Sequence, residues 1–334
     1  MAVRSQGPSL SPFGPTDGSV PLSVYFKRAY TMAIPVRIPE SMTEHSNNKE
    51  KKAWLERLPE LVACCEQLWD LRPAEPLIDE FVWMKANYIV PAVRSDGTEV
   101  VLKVMESPQT FACELEALEL SGNEGCVEIL ASDRKLQTLM LERVRPGIPL
   151  AQQPDDEQNT RIAARVMQKL WRPAPAEHGL QTVEEQIASL ARLRQRFDGG
   201  TGPVPEGWVA RAEEAFEELL ATSQGPVILH GDLHHWNILS AEREPWLAID
   251  PHGKVGDRGY DIVSYLSNKP SRSCDGTDDK RLMSRRADIL AEELGMIREW
   301  VLTWGWATDV LTAAMYTDEW EGHIRRANTL ASVM

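Results

Sequence analysis

The stretch HGDLHHWNIL, residues 230–239, sets three histidines, an aspartate and an asparagine just ahead of an apolar run. Two chemistries use such residues. As a metal site, His230, Asp232, His234 and His235 are all legitimate ligands, and neutral imidazole suits zinc. Alternate residues of one loop seldom converge on a single ion, however, and His178, His252 and His323 stand at no metal-like spacing from it. Phosphoryl transfer asks for a different set, the pattern H-R-D-L-x-x-x-N. Its aspartate accepts the proton of an attacking hydroxyl, and its asparagine, five residues on, holds magnesium. His230-Gly231-Asp232-Leu233 and Asn237 match that pattern everywhere except at the arginine. A merely polar loop is the bland alternative.

Phosphoryl transfer also needs a second metal-binding carboxylate after a tight return. PWLAIDPHG supplies Trp246, Leu247, Ala248 and Ile249 as a short strand ending in Asp250. Pro251 and His252 stand where a protein kinase has Phe-Gly, so the turn is expected to stay fixed rather than flip. Lys103 lies inside EVVLKVM, an unusual place for a lysine, from which it would grip the α- and β-phosphates with Glu114 as its partner. Alone, Lys103 reads as the solvated face of an amphipathic strand. With Asp232, Asn237 and Asp250 following in order, it reads as a phosphate anchor.

The surrounding elements have to bring these residues together. NKEKKAWLERLPELVACCEQLWDL places Trp54, Leu55, Leu58, Leu61, Val62, Cys65 and Leu68 at helical spacing, with an interruption expected near Pro59. FVWMKA, YIVPAV and EVVLKVM read as strands, the last two joined by a hairpin at Asp96-Gly97. SPQTFACELEALELSG reads as a helix capped by Ser107 and stopped at Gly122, followed by strands in CVEILASD and LQTLMLERV. RPGIPL breaks the pattern. Beyond it helices are expected near 156–171, 183–197, 206–223, 257–268, 278–294 and 296–317, with a short one at the end. The fold class is therefore α+β: a mobile arm over 1–48, a β-rich N-terminal lobe over 49–145, and a helical C-terminal lobe over 146–334 that carries the polar loop. The arm is rich in Ser, Pro, Gly and Asn, and Met32 is an alternative start.

A length of 334 residues favours two lobes with a cleft between them. Fifty acidic against thirty-six basic residues leave a formal charge of -14, which opposes nucleic acid or anionic membrane partners and suits a cationic small molecule. The five cysteines include no C-x-x-C pair, so neither a disulfide framework nor a thiolate zinc site is expected. No apolar run is long enough to span a membrane, and a cytoplasmic location is expected.

HGDLHHWNIL, LAIDPHGKVGD, and VVLKV followed by ELEALELSG together resemble the aminoglycoside phosphotransferase family, in particular its streptomycin 6-kinase and hydroxyurea phosphotransferase subgroup. The likeness runs from about Trp54 to the last helix, includes LERVRPGIPL and excludes the arm. It implies a protein-kinase-like two-lobed fold and transfer of the γ-phosphoryl of ATP, with Mg2+, to a hydroxyl of a small molecule. An aminoglycoside such as streptomycin is the expected acceptor. The alternatives are hydroxyurea or another small metabolite, or a nucleotide-binding protein without transfer activity. By the same resemblance Asp232 is the catalytic base, Asn237 and Asp250 the metal ligands, Lys103 the phosphate anchor and Glu114 its partner, with Glu116 as alternative. The backbone from Glu142 to Val144 would be the adenine-binding hinge.

The sequence also departs from protein kinases. MKANYIV has no glycine where they place a phosphate lid, which leaves Asn87 and the backbone to cover the phosphates. Gly231 replaces the arginine that reads activation-loop phosphate, and no A-P-E follows, so neither control by phosphorylation nor a protein substrate is expected. His230 is read as orienting the loop. Asp257 and Asp261 are read as a cap and a buried loop anchor. Trp300, Trp304 and Trp306 are read as core that also walls the acceptor pocket.

Overall fold

The computed structural model describes residues 36, 38, 42, 48–73, 87–268, 279–315 and 320–334. Asn48 caps helix α1 (Lys49–Trp69), its side-chain oxygen accepting from the Glu50 amide at 2.8 Å. The helix continues through Pro59 instead of breaking there. Proline removes one helical hydrogen bond. Trp54, Leu55 and Leu58 before it and Leu61, Val62 and Cys65 after it are nevertheless buried in one cluster, which keeps both halves in line. Of the expected arm, Met42 is buried in this cluster and Val36 and Ile38 pack against it. The rest of residues 1–47, Met32 included, lies outside the described residues.

The first sheet contains β1 (Leu71–Pro73), β2 (Asn87–Arg94), β3 (Glu99–Met105), β4 (Ile129–Asp133) and β5 (Thr138–Glu142), antiparallel in the order β1-β2-β3-β5-β4. FVWMKA, residues 81–86, lies outside the described residues. At the β2–β3 turn Gly97 takes φ +88, and the Asp96 carboxylate accepts from the Thr98 amide at 2.9 Å. Strand β3 presents two faces. Val100, Leu102 and Val104 pack on α1, while Met105 and Val101 join the cluster that continues into the second lobe. Lys103 alternates with the first set and so lies on the second face. Helix α2 (Pro108–Ser121) follows, capped by Ser107 Oγ on the Thr110 amide at 3.2 Å and ended by Gly122 at φ +61.

The second lobe contains β6 (Pro146–Pro149), α3 (Asp156–Leu170), β7 (Gln181–Thr182), α4 (Val183–Ile187), α5 (Ser189–Arg196) and α6 (Glu206–Ala221). It continues with β8 (Val227–Leu229), β9 (Ile238–Ala241), β10 (Trp246–Ala248), β11 (Lys254–Gly256), α7 (Gly259–Ser267), α8 (Asp279–Leu294), α9 (Arg298–Met315) and α10 (Trp320–Ala331). The single helix expected over 183–197 is two, because α4 packs on β11 while α5 packs on α9, and the axis turns at Ala188. Two small sheets, β10-β9-β6 and β7-β11-β8, lie beneath the first lobe and carry the polar loops. One apolar cluster runs through both lobes, from Met105, Phe111 and Leu115 to Met167, Leu233 and Trp304. No helix among the described residues is long and apolar enough to cross a membrane.

Candidate active site

The loop from His230 to Asn237 joins β8 to β9, and the turn from Ile249 to Gly253 joins β10 to β11. Strands β9 and β10 form a hairpin whose open end brings the two turns side by side, with the Ile249 amide donating to the Asn237 carbonyl at 2.9 Å. The amides of His252 and Gly253 donate to the His230 carbonyl at 2.8 and 3.1 Å. Asp261, on the first turn of α7, anchors the loop from below. It accepts from the backbone amides of His230 and Gly231 at 3.0 and 2.7 Å and from the Trp171 indole at 3.1 Å. Asp257 accepts from the Gly259 amide at 2.8 Å, one position ahead of the N-cap residue Arg258. The buried anchor expected here is Asp261, whereas the N-cap position falls on Arg258 instead of Asp257.

His230 is buried, which pushes its pKa down and keeps the ring neutral. Its Nε2 donates to the Ile249 carbonyl at 2.9 Å and its Nδ1 accepts from the Asp232 amide at 3.2 Å. The ring therefore links the two turns and has no proton to give to a substrate. Asp232 opens to the cleft with its side chain 32% exposed, and Oδ2 lies 3.6 Å from His234 Nε2 and 3.8 Å from His252 Nε2. Asn237 is buried and donates its amide nitrogen to the Asp232 carbonyl at 3.0 Å, which leaves its amide oxygen as the group able to ligate a cation.

The first lobe delivers Lys103 onto this loop pair. Its ammonium donates to both oxygens of Glu114 on α2, at 2.7 and 2.6 Å, and to Asp250 across the cleft. Lys103 and Glu114 are almost wholly buried, whereas the Asp250 side chain is 42% exposed and faces open space. Burial disfavours the Lys103 ammonium, but Asp250 and Glu114 outweigh it and hold the amine above its ordinary value. Desolvation at the cleft floor would raise Asp250, yet Lys103 prevails and holds that carboxyl down, to about 2. Burial pushes Glu114 up against the pull of Lys103. Asp250 adopts φ +59, a left-handed conformation that aspartate tolerates better than most residues but that still stores strain. Gly253 at φ +66 permits the return, since a Cβ there would stand 2.6 Å from the Cys113 carbonyl of α2.

Lys103, Glu114, Asn237, Asp250 and Asp232, separated by up to 147 residues in the chain, thus meet at one cleft. Glu116 does not share in it. Its carboxylate accepts from the Gly179 amide at 2.7 Å and ties α2 to the second lobe, because a residue two positions from Glu114 points to another face of the helix. At the expected hinge the Glu142 carboxylate accepts from Arg243 at 2.5 Å and from the Glu128 amide at 2.9 Å, so that side chain is already engaged. Asn87 opens β2 opposite Met105, and Met84 to Ala86 lie outside the described residues.

Among the described residues no three His, Cys, Asp or Glu side chains are grouped to hold a metal ion. The zinc reading fails on geometry: His235 is buried, stacked on Tyr265 at 4.0 Å, and accepts from Arg286 at 3.2 Å. An amide oxygen and a carboxylate beside a lysine suit instead a hard cation that takes its remaining ligands from phosphates. A cavity of about 760 Å³ opens beside Asp232, walled by α7, α8, α9 and α10. Its α9 wall is Thr308, Asp309 and Thr312, not the expected tryptophans. Trp304 and Trp306 are 1% exposed and pack edge-on against Phe216 and Trp208. Nothing in the sequence around Asp309, His323 or Arg326 marked them as part of this wall.

The family model for aminoglycoside/hydroxyurea antibiotic resistance kinases matches residues 80–319. The chain belongs to that family. It is a phosphotransferase acting on hydroxyl groups, and its fold is protein-kinase-like. The kinase is 31% identical over 277 residues to a streptomycin 6-kinase of Streptomyces griseus, across 80% of this chain and 87% of the relative. It is 30% identical over 305 residues to a hydroxyurea phosphotransferase of Kitasatospora aureofaciens, across 88% and 86%. A Plasmodium vivax ethanolamine kinase shares its fold at a TM-score of 0.54 and 11% identity, over 90% of this chain and 96% of that one.

Proposed function

We propose that this kinase transfers the γ-phosphoryl group of ATP to a hydroxyl of an antibiotic, with an aminoglycoside such as streptomycin as acceptor. The observation that carries the reading is Lys103 bonded to both Glu114 and Asp250, whose turn is hydrogen-bonded to the Asp232–Asn237 loop that gives Asp232 to the cavity wall. Asp232 is the base: it orients the acceptor hydroxyl and takes its proton as the oxygen bonds to the γ-phosphorus and the bond to ADP breaks. Lys103 holds the α- and β-phosphates. Asn237 and Asp250 would hold Mg2+, which supplies charge neutralisation on the phosphates. The main chain from Glu142 to Val144 receives the adenine. Because the transition state is loose, alignment and charge do most of the catalysis.

The similarity to a hydroxyurea phosphotransferase supports a second acceptor. The cavity volume of about 760 Å³ favours the larger one, since pockets of about 300–1,000 Å³ suit drug-sized ligands. Incubation with magnesium-ATP and, separately, streptomycin, other aminoglycosides and hydroxyurea separates the two by ADP release and product mass. A phosphorylated streptomycin upholds the reading; phosphorylation of hydroxyurea alone replaces it, and release of ADP with none of them removes both acceptors.

A further inference from the structure

The whole chain is strongly acidic, yet the described wall of the acceptor cavity is not. Its charged residues are Asp232, Asp279 and Asp309 against Lys254, Arg325 and Arg326. Asp309 is 3% exposed and its oxygens are engaged: Oδ1 accepts from His323 Nδ1 at 2.9 Å and from Arg326 Nε at 3.0 Å, and Oδ2 from Ser267 Oγ at 3.2 Å. A carboxylate so occupied has little capacity left for a cationic substrate. It serves instead to fix its partners. His323 Nδ1 has to donate to Asp309, since a carboxylate only accepts, so the ring's acceptor is Nε2, and Arg326 Nη2 donates to it at 3.1 Å. Arg326 stays 32% exposed on the cavity wall. Its Nε is held by Asp309 and one N–H of Nη2 by His323, which leaves Nη1 and the second N–H of Nη2 for a ligand.

We propose that Arg326 is a specificity-determining residue that binds paired oxygen atoms of the acceptor, and that Asp309 is its positioning residue. This rests on the phosphotransfer reading of the same cavity. A planar guanidinium donates two parallel hydrogen bonds to a carboxylate or to vicinal hydroxyls, and it repels a second guanidinium. The acceptor therefore turns an oxygen-bearing ring face, rather than a cationic arm, towards α10. The recognising chemistry is shared by a neutral cyclitol or sugar diol and by a sugar acid.

Calorimetric titration of the full chain, loaded with magnesium and a non-hydrolysable ATP analogue, tests this with streptomycin, myo-inositol and glucuronate as probes. R326M should weaken the ring probes that bind the wild type about tenfold or more, the value of a charged hydrogen bond, while the ATP analogue binds as before. D309N should lose a similar factor, and the D309N/R326M double variant should be no weaker than R326M, because Asp309 acts through Arg326. R326K should recover part of the glucuronate affinity and little of the myo-inositol affinity. Should D309N not fold, R326M alters a partly exposed side chain and decides alone, with its melting temperature as check. Unchanged binding of every probe to R326M overturns the inference, as does failure of all three to bind the wild type. ADP release with streptomycin reads turnover separately: binding that depends on Arg326 without turnover counts against the proposed acceptor and leaves this inference standing.

Discussion

At the scale of single residues the site is an electrostatic assembly in which each charge is set by its neighbours. Lys103 remains an ammonium although buried, because two carboxylates face it. Removing it would leave Glu114 and Asp250 without their cation. Breaking such a buried pair costs about 3–5 kcal/mol, so K103M should lower the unfolding free energy by that order, and K103M/E114L should recover much of it, as read by denaturant titration. Catalysis separates from stability at Asp232, whose carboxylate is partly exposed and touches no buried charge closely. D232N should leave the ATP KM near its wild-type value and cut kcat by about 10² to 10³, measured by ADP release, since it removes the proton acceptor but keeps the loop's shape.

Single elements are held in place by polar groups as much as by apolar ones. Asp261 ties α7 to the His230–Asn237 loop through two amides and an indole, so a helix distant in sequence fixes the loop position. Arg286 of α8 plays the matching part on the other side. Fully buried, it donates to Asp156 of α3 at 3.0 Å, to the Asn268 carbonyl beyond α7 at 2.6 Å, and to His235 of the loop. Burial, reinforced by Arg286, holds His235 well below the ordinary imidazole value of 6.5, at about 4, although Asp156 opposes the shift. The unfolded chain then takes up a proton near pH 6.5 that the folded one refuses until about pH 4. Stability from this neutral ring is present above the higher value and is lost as pH falls through the lower one. Melting temperature should decline across that window, and H235F should flatten the decline.

For the whole molecule, one apolar cluster crosses from the first lobe to the second, and the Lys103–Asp250 contact spans the cleft at its edge. The Glu116 bond to Gly179 and the close fit of Gly253 under α2 add two further ties between the lobes. The helix bearing Glu114 is thereby docked without any phosphorylated loop. Ligand binding should therefore tighten an assembled cleft. Saturating magnesium with a non-hydrolysable ATP analogue, at about a hundredfold over Kd, should stabilise the fold by about 2.7 kcal/mol, seen as a rise in melting temperature. Chelating the magnesium, or the D250N substitution, should remove most of that rise.

The sequence determined the elements and the order of the chemical residues, because both are local. Capping at Ser107, the Asp96-Gly97 turn, the period of α1 and the D-x-x-x-x-N spacing of Asp232 and Asn237 all act within a few residues. Its local rules misjudged Pro59, where burial on both sides outweighed a lost hydrogen bond, and the helix at 183–197, where two packing partners bend the axis. Tertiary structure alone decided which carboxylate meets Lys103. Glu114 and Glu116 are equally near in sequence, but only one faces the cleft. It also decided that Asp309, His323 and Arg326 wall the cavity beside Asp232 while Trp304 and Trp306 fill the core. Which face of a helix looks into a cavity depends on every neighbour packed around it, and no spacing within that helix encodes those neighbours.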